Sequence, residues 1–260
     1  MKKLIDALDA FLAEADRETI ISSIQKRLQK ELEDAFGAQG EALVSNLPSG
    51  GEVPVDYVWE PMFTEVAEET SGAFVEPIVA AAGASMSAGA LQALADFAIG
   101  MSFDLANPRA VAYLKAHGAE LVTAINDTTR DYIKTVVTNG VENGLSYGEI
   151  AKAITDRYEE FKIGKPQEHI DSRAHLIAVT EIGNAYEEGN LIVVEDLADG
   201  GLEMEKFWQT VEDARVSDGC QQNQDAGWIP AGEPFPSGDM RPLRFPGCRC
   251  AALYRRKPKK

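Results

Sequence analysis

The sequence is poor in the residues that most often carry chemistry, with 3 cysteines and 3 histidines among 260 residues. An odd number of cysteines cannot all pair within one chain, so a secreted disulfide scaffold is not expected and a reducing compartment is. The first residues, Met-Lys-Lys, are typical of a signal peptide, but Asp6 and Asp9 interrupt the apolar stretch that follows. No secretory leader is therefore expected.

Catalytic signatures are also lacking. His117, His169 and His175 have no serine or cysteine nucleophile motif beside them. A glycine-rich loop of the kind that holds phosphate groups is absent as well. The sequence therefore predicts that the protein is not an enzyme.

Long hydrophobic runs are rare, and residues 77–95 form a long stretch without any charged side chain. This stretch consists mainly of alanine, glycine and serine, which contribute little free energy of transfer into a membrane. We expect a buried, closely packed helix here and no contact with a membrane. A membrane span is the alternative.

Acidic side chains dominate the charge, with 42 acidic against 25 basic residues and a formal net charge of −17. Such a protein does not attract nucleic acid through its overall field. Residues 241–260 differ, because they contain no acidic residue. Their basic residues are Arg241, Arg244, Arg249, Arg255, Arg256, Lys257, Lys259 and Lys260.

The end of this basic segment is a candidate contact for nucleic acid or for an acidic protein surface, through an attraction that salt weakens. A solvated tail without a partner is the alternative. The residues concerned are Arg255, Arg256, Lys257, Lys259 and Lys260.

Apolar side chains recur with helical periodicity through most of the chain. Ser146 and Glu149 have the spacing of a capping box, and Asn107 precedes Pro108 as a helix cap would. Short apolar runs between glycine, proline and aspartate follow residue 203, which is typical of strands and loops. The predicted helices cover residues 3–36, about 60–101 with a break at Pro77, 108–138, 147–161 and about 168–188.

These patterns predict a mainly α protein, with an elongated helical N-terminal and central region and a small α+β C-terminal module. The predicted divisions are an N-terminal helical region (1–104), a central helical domain (105–200), a small cysteine-containing module (201–254) and a basic tail (255–260).

Cys220, Cys248 and Cys250 are candidate metal ligands, because a Cys-x-Cys pair on a strand places both sulfurs on one face. Structural zinc usually takes four ligands, so a carboxylate, a distant histidine or water would have to complete the site. The candidate carboxylates are those of Asp213, Asp218 and Asp225. Small buried thiols without a metal, or one disulfide to Cys220, are the alternatives, and no cofactor is the first expectation.

Arg173 and Glu181 lie on one face of the helix predicted over 168–188, with Thr180 beside them. We expect this face to dock the C-terminal module, with Glu181 paired to Arg215 and Arg173 paired to Asp213. Catalysis by Glu181 is the alternative and requires a pocket.

Several motifs, in order, span residues 100–254: NPRAVAYL at 107–114, INDTTR at 125–130, RAHLIAVTE at 173–181, NAYEEG at 184–189, KFWQT at 206–210, DARV at 213–216 and FPGCRC at 245–250. Together they resemble the phage Mu F-like minor head proteins. Phe245 stands where family members commonly carry a histidine, and Ser217 stands near the place of a second cysteine. Both departures remove potential ligands of a zinc ion.

The resemblance implies a structural minor head protein of a tailed phage or prophage. It implies binding to the portal protein during head morphogenesis and DNA packaging, with scaffold or major capsid protein as further partners and packaged DNA as a contact of the basic tail. The implied location is the interior of the virion head, and the host cytoplasm during assembly. A packaged metal-dependent hydrolase or nuclease and a DNA-binding assembly factor are the alternative functions.

Overall fold

A computed structural model describes residues 17–97, 103–163, 170 and 172–258. Its helices are α1 (Arg17–Asn46), α2 (Glu60–Asp96), α3 (Pro108–Glu142), α4 (Tyr147–Ile163), α5 (Arg173–Asp199) and the short α6 (Asp218–Asp225), and its strands are β1 (Met204–Gln209), β2 (Ile229–Pro230) and β3 (Ala251–Arg256). The mainly α fold with a small α+β C-terminal module is confirmed. The first part of the helix predicted over 3–36 lies outside the described residues.

Two helices begin where local chemistry predicts. The Asn107 side-chain oxygen accepts a hydrogen bond from the Arg109 backbone N–H at 2.9 Å and caps α3. At the start of α4, the Ser146 backbone N–H donates to the Glu149 carboxylate at 2.8 Å, and the Glu149 N–H donates to the Ser146 hydroxyl at 3.3 Å. Both donors of the capping box are therefore satisfied.

The predicted break at Pro77 is wrong, because α2 continues through this residue. Phe74 and Ile78 are both completely buried on either side of the proline. Their packing offsets the cost of about 3 kcal/mol that an interior proline imposes on a helix. Helix α5 was predicted over about 168–188, but it begins at Arg173 and ends at Asp199. Gly201, two residues after its end, has a φ of 89°, a conformation that glycine adopts readily where helices end.

The contacts divide the chain into two compact units. We call the described parts of residues 1–26, 80–114 and 177–260 the sheet unit, and those of residues 27–79 and 115–176 the helical unit. Each unit combines segments that are distant in sequence. The division groups packed segments, and the boundaries predicted at 104, 200 and 254 remain predictions.

Within the sheet unit, α2 and α5 approach so closely that side chains are excluded between them. A Cβ atom on Gly89 would overlap the Tyr186 carbonyl, and one on Gly189 would overlap the Met86 carbonyl. The Ser85 hydroxyl donates to the Ile182 carbonyl at 2.7 Å across the same contact. Two small residues of the stretch 77–95, Ser85 and Gly89, therefore lie in the close contact between α2 and α5. We call this contact the seam.

Among the described residues, α2 is the one helix long and apolar enough to cross a membrane by length and composition. Of its most apolar 18-residue stretch, 56% is buried inside the protein. The core helix of a protein in water has the same properties, so this finding is weak evidence for a span.

The sheet of the C-terminal module is antiparallel, with β1 between β2 and β3. Lys206 pairs with Ile229 on one side and with Tyr254 on the other. Side chains alternate along β1, and Trp208 on its inner face is completely buried. Helix α6 packs on this strand and brings the first cysteine toward the other two.

Candidate functional site

The three cysteines meet in the core of the C-terminal module. The Sγ atoms of Cys220 and Cys248 are 4.0 Å apart, and all three Sγ atoms lie within 4.8 Å of one another. The thiols are free and none is more than 5% exposed. The alternative of a disulfide to Cys220 is therefore not what the structure shows.

Local backbone interactions place each sulfur. Ser217 caps α6, and its hydroxyl accepts from the Cys220 N–H at 3.3 Å, which positions Cys220 in the first turn. The Cys248 N–H donates to the Phe245 carbonyl at 3.0 Å in a turn where Gly247 has a φ of 78°. This turn leads both remaining cysteines into the core.

The thiols differ in acidity although they are neighbours. The S–H of Cys250 donates to the Cys248 sulfur, and this bond lowers the pKa of Cys248 to about 6. The same bond, together with burial, raises the pKa of Cys250. The pair therefore favours a single thiolate, located at Cys248.

Among the described residues, the group close enough to share one metal ion consists of these three thiols. Two of the three candidate carboxylates have other partners. The Asp213 carboxylate accepts from Arg249 at 2.8 Å, and the Asp225 carboxylate accepts from Gln221 at 2.8 Å. Ser217, near the place of a family cysteine, acts as a helix cap instead.

The C-terminal module is bound to one face of α5, partly through Thr180. The Gly247 backbone N–H donates to the Thr180 hydroxyl at 3.0 Å, next to the turn that carries Cys248. Further along this face, the Ala252 N–H donates to the Glu187 carboxylate at 3.2 Å. The helix therefore holds both the cysteine turn and strand β3.

Sequence reasoning did not single out the residue that forms the ion pair of this interface. Arg241 pairs with Glu188 at 2.7 Å and donates to the Asn184 side-chain oxygen at 3.2 Å. Asn184 and Glu188 lie four and eight residues after Thr180, so helical periodicity places them on the same face. That periodicity is the sequence signal from which Asn184 and Glu188 could have been predicted. No comparable signal marks Arg241, which is one basic residue among several in a loop-rich segment.

Part of the chain matches a known protein family. Residues 131–253 match the family model of the phage Mu protein F like proteins. The resemblance found in the sequence is thereby confirmed. No curated protein and no solved structure matches the chain.

The Mu F-like segment thus includes the end of α3, all of α4 and α5, and nearly the whole C-terminal module. The three cysteines and the residues that bind the module to α5 all lie inside it. The match supports a bacteriophage protein of head morphogenesis, of the minor head protein class, with a place in the virion head.

Arg173, one of the predicted docking residues, has partners within the helical unit. Arg173 donates to the Thr129 hydroxyl at 3.0 Å and to the Ile125 carbonyl at 2.9 Å, all within the helical unit. The Asp213 carboxylate is paired with Arg249. The predicted pair between Arg173 and Asp213 stays a prediction, and each of the two side chains has partners within its own unit.

The second predicted pair, between Glu181 and Arg215, stays a prediction. Glu181 is buried and Arg215 is exposed. Two cavities, of about 940 and 460 Å³, lie elsewhere on the chain, and neither is lined by Glu181 or by a cysteine.

Arg255 and Arg256, which the sequence assigned to the basic tail, belong to β3. The Arg255 guanidinium pairs with Glu205 at 2.8 Å and lies 4.1 Å from the centre of the Trp228 ring. Lys257 approaches the Glu203 carboxylate at 3.6 Å. Contact with DNA remains a prediction for the tail, in which Lys259 and Lys260 lie outside the described residues.

Proposed function

We propose that this protein is a structural minor head protein of a tailed phage or prophage, and that it binds the portal protein during head assembly and DNA packaging. The Mu F-like match supports the first part, and the matched family is a structural one. The portal-binding part depends on a single observation, which is an exposed apolar surface in the helical unit.

This surface is formed by the loop between α1 and α2. Val55 is 91% exposed and Val58 is 67% exposed, values that are unusual for two large apolar side chains so close together. Beside them runs a groove of about 940 Å³, whose opposite wall includes Val137 and Val141 of α3. We call these four residues and the space between them the valine groove.

Acidic side chains border the valine groove. Asp56, Glu60 and Glu142 belong to its lining. A partner segment that fits this surface is therefore apolar, with lysine or arginine beside it. We assign this segment to the portal protein, because the portal is the partner implied by a minor head protein and because the loop lies outside the Mu F-like segment, where partner binding can differ between phages.

The experiment measures binding between this protein and the portal protein of the same phage. We expect the double variant Val55→Asp/Val58→Asp to bind about 100-fold more weakly, since each buried valine contributes about 1.5 kcal/mol. Val211→Asp is the matched control, because Val211 is also exposed (44%) but lies in the sheet unit. The control is expected to bind as the wild type does.

Three outcomes contradict the proposal. Wild-type protein that does not bind the portal at low salt contradicts portal binding itself. Equal binding by the double variant removes the valine groove as the surface used. Self-association of the wild type that the double variant loses, measured by sedimentation without portal, assigns the groove to a second copy of the chain.

A further inference from the structure

The spacing of the three thiols suits a common central ion. Zinc–sulfur bonds of about 2.3 Å at tetrahedral angles place sulfur atoms about 3.8 Å apart. The Sγ atoms of Cys220 and Cys248 are separated by 4.0 Å, and Cys250 lies within 4.8 Å of both. A disulfide would require about 2.05 Å, so the sulfurs are positioned around a point and not bonded to each other.

Hydrogen-bond donors surround these sulfurs. The backbone N–H groups of Arg244 and Cys250 donate to the Cys248 sulfur. The indole N–H of Trp208 is fully buried, and the Cys250 sulfur of the same apolar cluster is the acceptor that it faces. A metal-bound thiolate is a far better acceptor for such a buried N–H than a neutral thiol.

Positive charge also lies close to the cluster. The Arg244 guanidinium covers Gly219, the neighbour of Cys220, and the Arg249 guanidinium interacts electrostatically with Cys248 and Cys250. Three thiolates around a divalent cation carry a net charge of −1, and Arg244 and Arg249 lie near this charge while each also pairs with a carboxylate, of Asp239 and Asp213 respectively.

The size of the module gives a reason for such a site. Its sheet has two strands of 6 residues and one of 2, and its helix has 8 residues. Elements this short bury little apolar surface, and small modules of this kind commonly depend on a metal or on disulfides. Here the cysteines are free.

We propose that Cys220, Cys248 and Cys250 bind one Zn²⁺ ion through three thiolates, with water as the fourth ligand, and that this ion stabilises the C-terminal module. The thiol protons pass to the solvent on binding. Trp208 is a positioning residue, whose N–H stabilises the charge on the Cys250 sulfur. This inference is independent of portal binding.

The first test is the metal content of the full chain, purified without chelators and measured by elemental analysis. We expect about one zinc per chain, and we expect Co²⁺ substitution to give the intense visible absorption of tetrahedral thiolate coordination. Cys220→Ser should lose both signals. Val216→Ala is the matched control, because Val216 packs against the same cluster without offering a ligand, and it should keep both.

A second test remains informative if Cys220→Ser does not fold. Removing zinc from the wild type with a strong chelator should lower the midpoint of thermal unfolding, and added Zn²⁺ but not Mg²⁺ should restore it. Trp208→Phe should retain the site but bind zinc about 10-fold to 100-fold more weakly. Wild-type protein that contains no zinc, gives no cobalt spectrum and is unaffected by the chelator overturns the proposal.

Discussion

Arg241 and Glu188 form an ion pair with an Nε–Oε2 distance of 2.7 Å, and their side chains are only 17% and 21% exposed. The pair joins the loop before the cysteine turn to helix α5. Asn184 lies beside it and accepts hydrogen bonds from both the Arg241 guanidinium and the Leu243 backbone N–H. The position of the C-terminal module on α5 therefore depends on a largely buried polar network.

We expect Arg241→Met to lower the free energy of unfolding by about 3–5 kcal/mol, because it leaves the Glu188 carboxylate in a largely buried position without its partner. The double variant Arg241→Met/Glu188→Leu should recover most of this loss, since no charge is then left unpaired. Urea denaturation measures both values. The exposed pair of Lys152 and Asp156 provides the control, and Lys152→Met should cost no more than about 1 kcal/mol. A similar small cost for Arg241→Met would refute the role of the network.

A second prediction concerns the seam between α2 and α5. Gly89→Ala should destabilise the protein by about 3 kcal/mol or more, because the new methyl group meets the Tyr186 backbone carbonyl, which cannot move aside. Gly72→Ala is the matched control in the same helix. A Cβ on Gly72 has no atom within 4 Å, so this variant should gain about 0.5–1 kcal/mol. Thermal unfolding of the two variants checks the difference in sign, and equal effects would disprove the seam.

Lys206 leads to a prediction about pH. Burial lowers its pKa to about 8 from the usual 10.5, although Glu195 and Glu233 act in the opposite direction. Below pH 8 the amine is charged in both the folded and unfolded states, so folding carries the full cost of burying the charge. Above pH 10.5 the amine is neutral in both states, and the cost is absent.

The unfolding free energy of the wild type, relative to Lys206→Met, is therefore expected to rise between about pH 8 and pH 10.5 and to be constant below pH 7. Urea denaturation of the two proteins across this range gives the difference, in which the titration of other groups cancels. Parallel curves throughout would show that the Lys206 pKa is not lowered by folding.

The features predicted correctly from sequence are those that depend on neighbouring residues. The Ser146 and Glu149 capping box needs only a spacing of three, and it is formed as expected. Pro77 shows the opposite case, because the helix continues through it where Phe74 and Ile78 are completely buried, and burial is not visible in the local sequence. Cys220 was named with Cys248 and Cys250 as a candidate ligand, but its approach to Cys248 across 28 residues depends on tertiary packing that no local pattern reports.

Arg173 was predicted to dock the C-terminal module, but its guanidinium lies 4.6 Å from the centre of the Phe161 ring and donates to Thr129 and Ile125. Burial lowers its pKa to about 10. We expect Arg173→Lys to lose about 3 kcal/mol of unfolding free energy, because an ammonium group has neither the planar face nor the fork of donors that this position uses. Arg27→Lys, at a side chain 82% exposed in the same helical unit, should change stability by less than about 0.5 kcal/mol. Urea denaturation compares the two, and equal losses would show that the aromatic surroundings of Arg173 do not require a guanidinium.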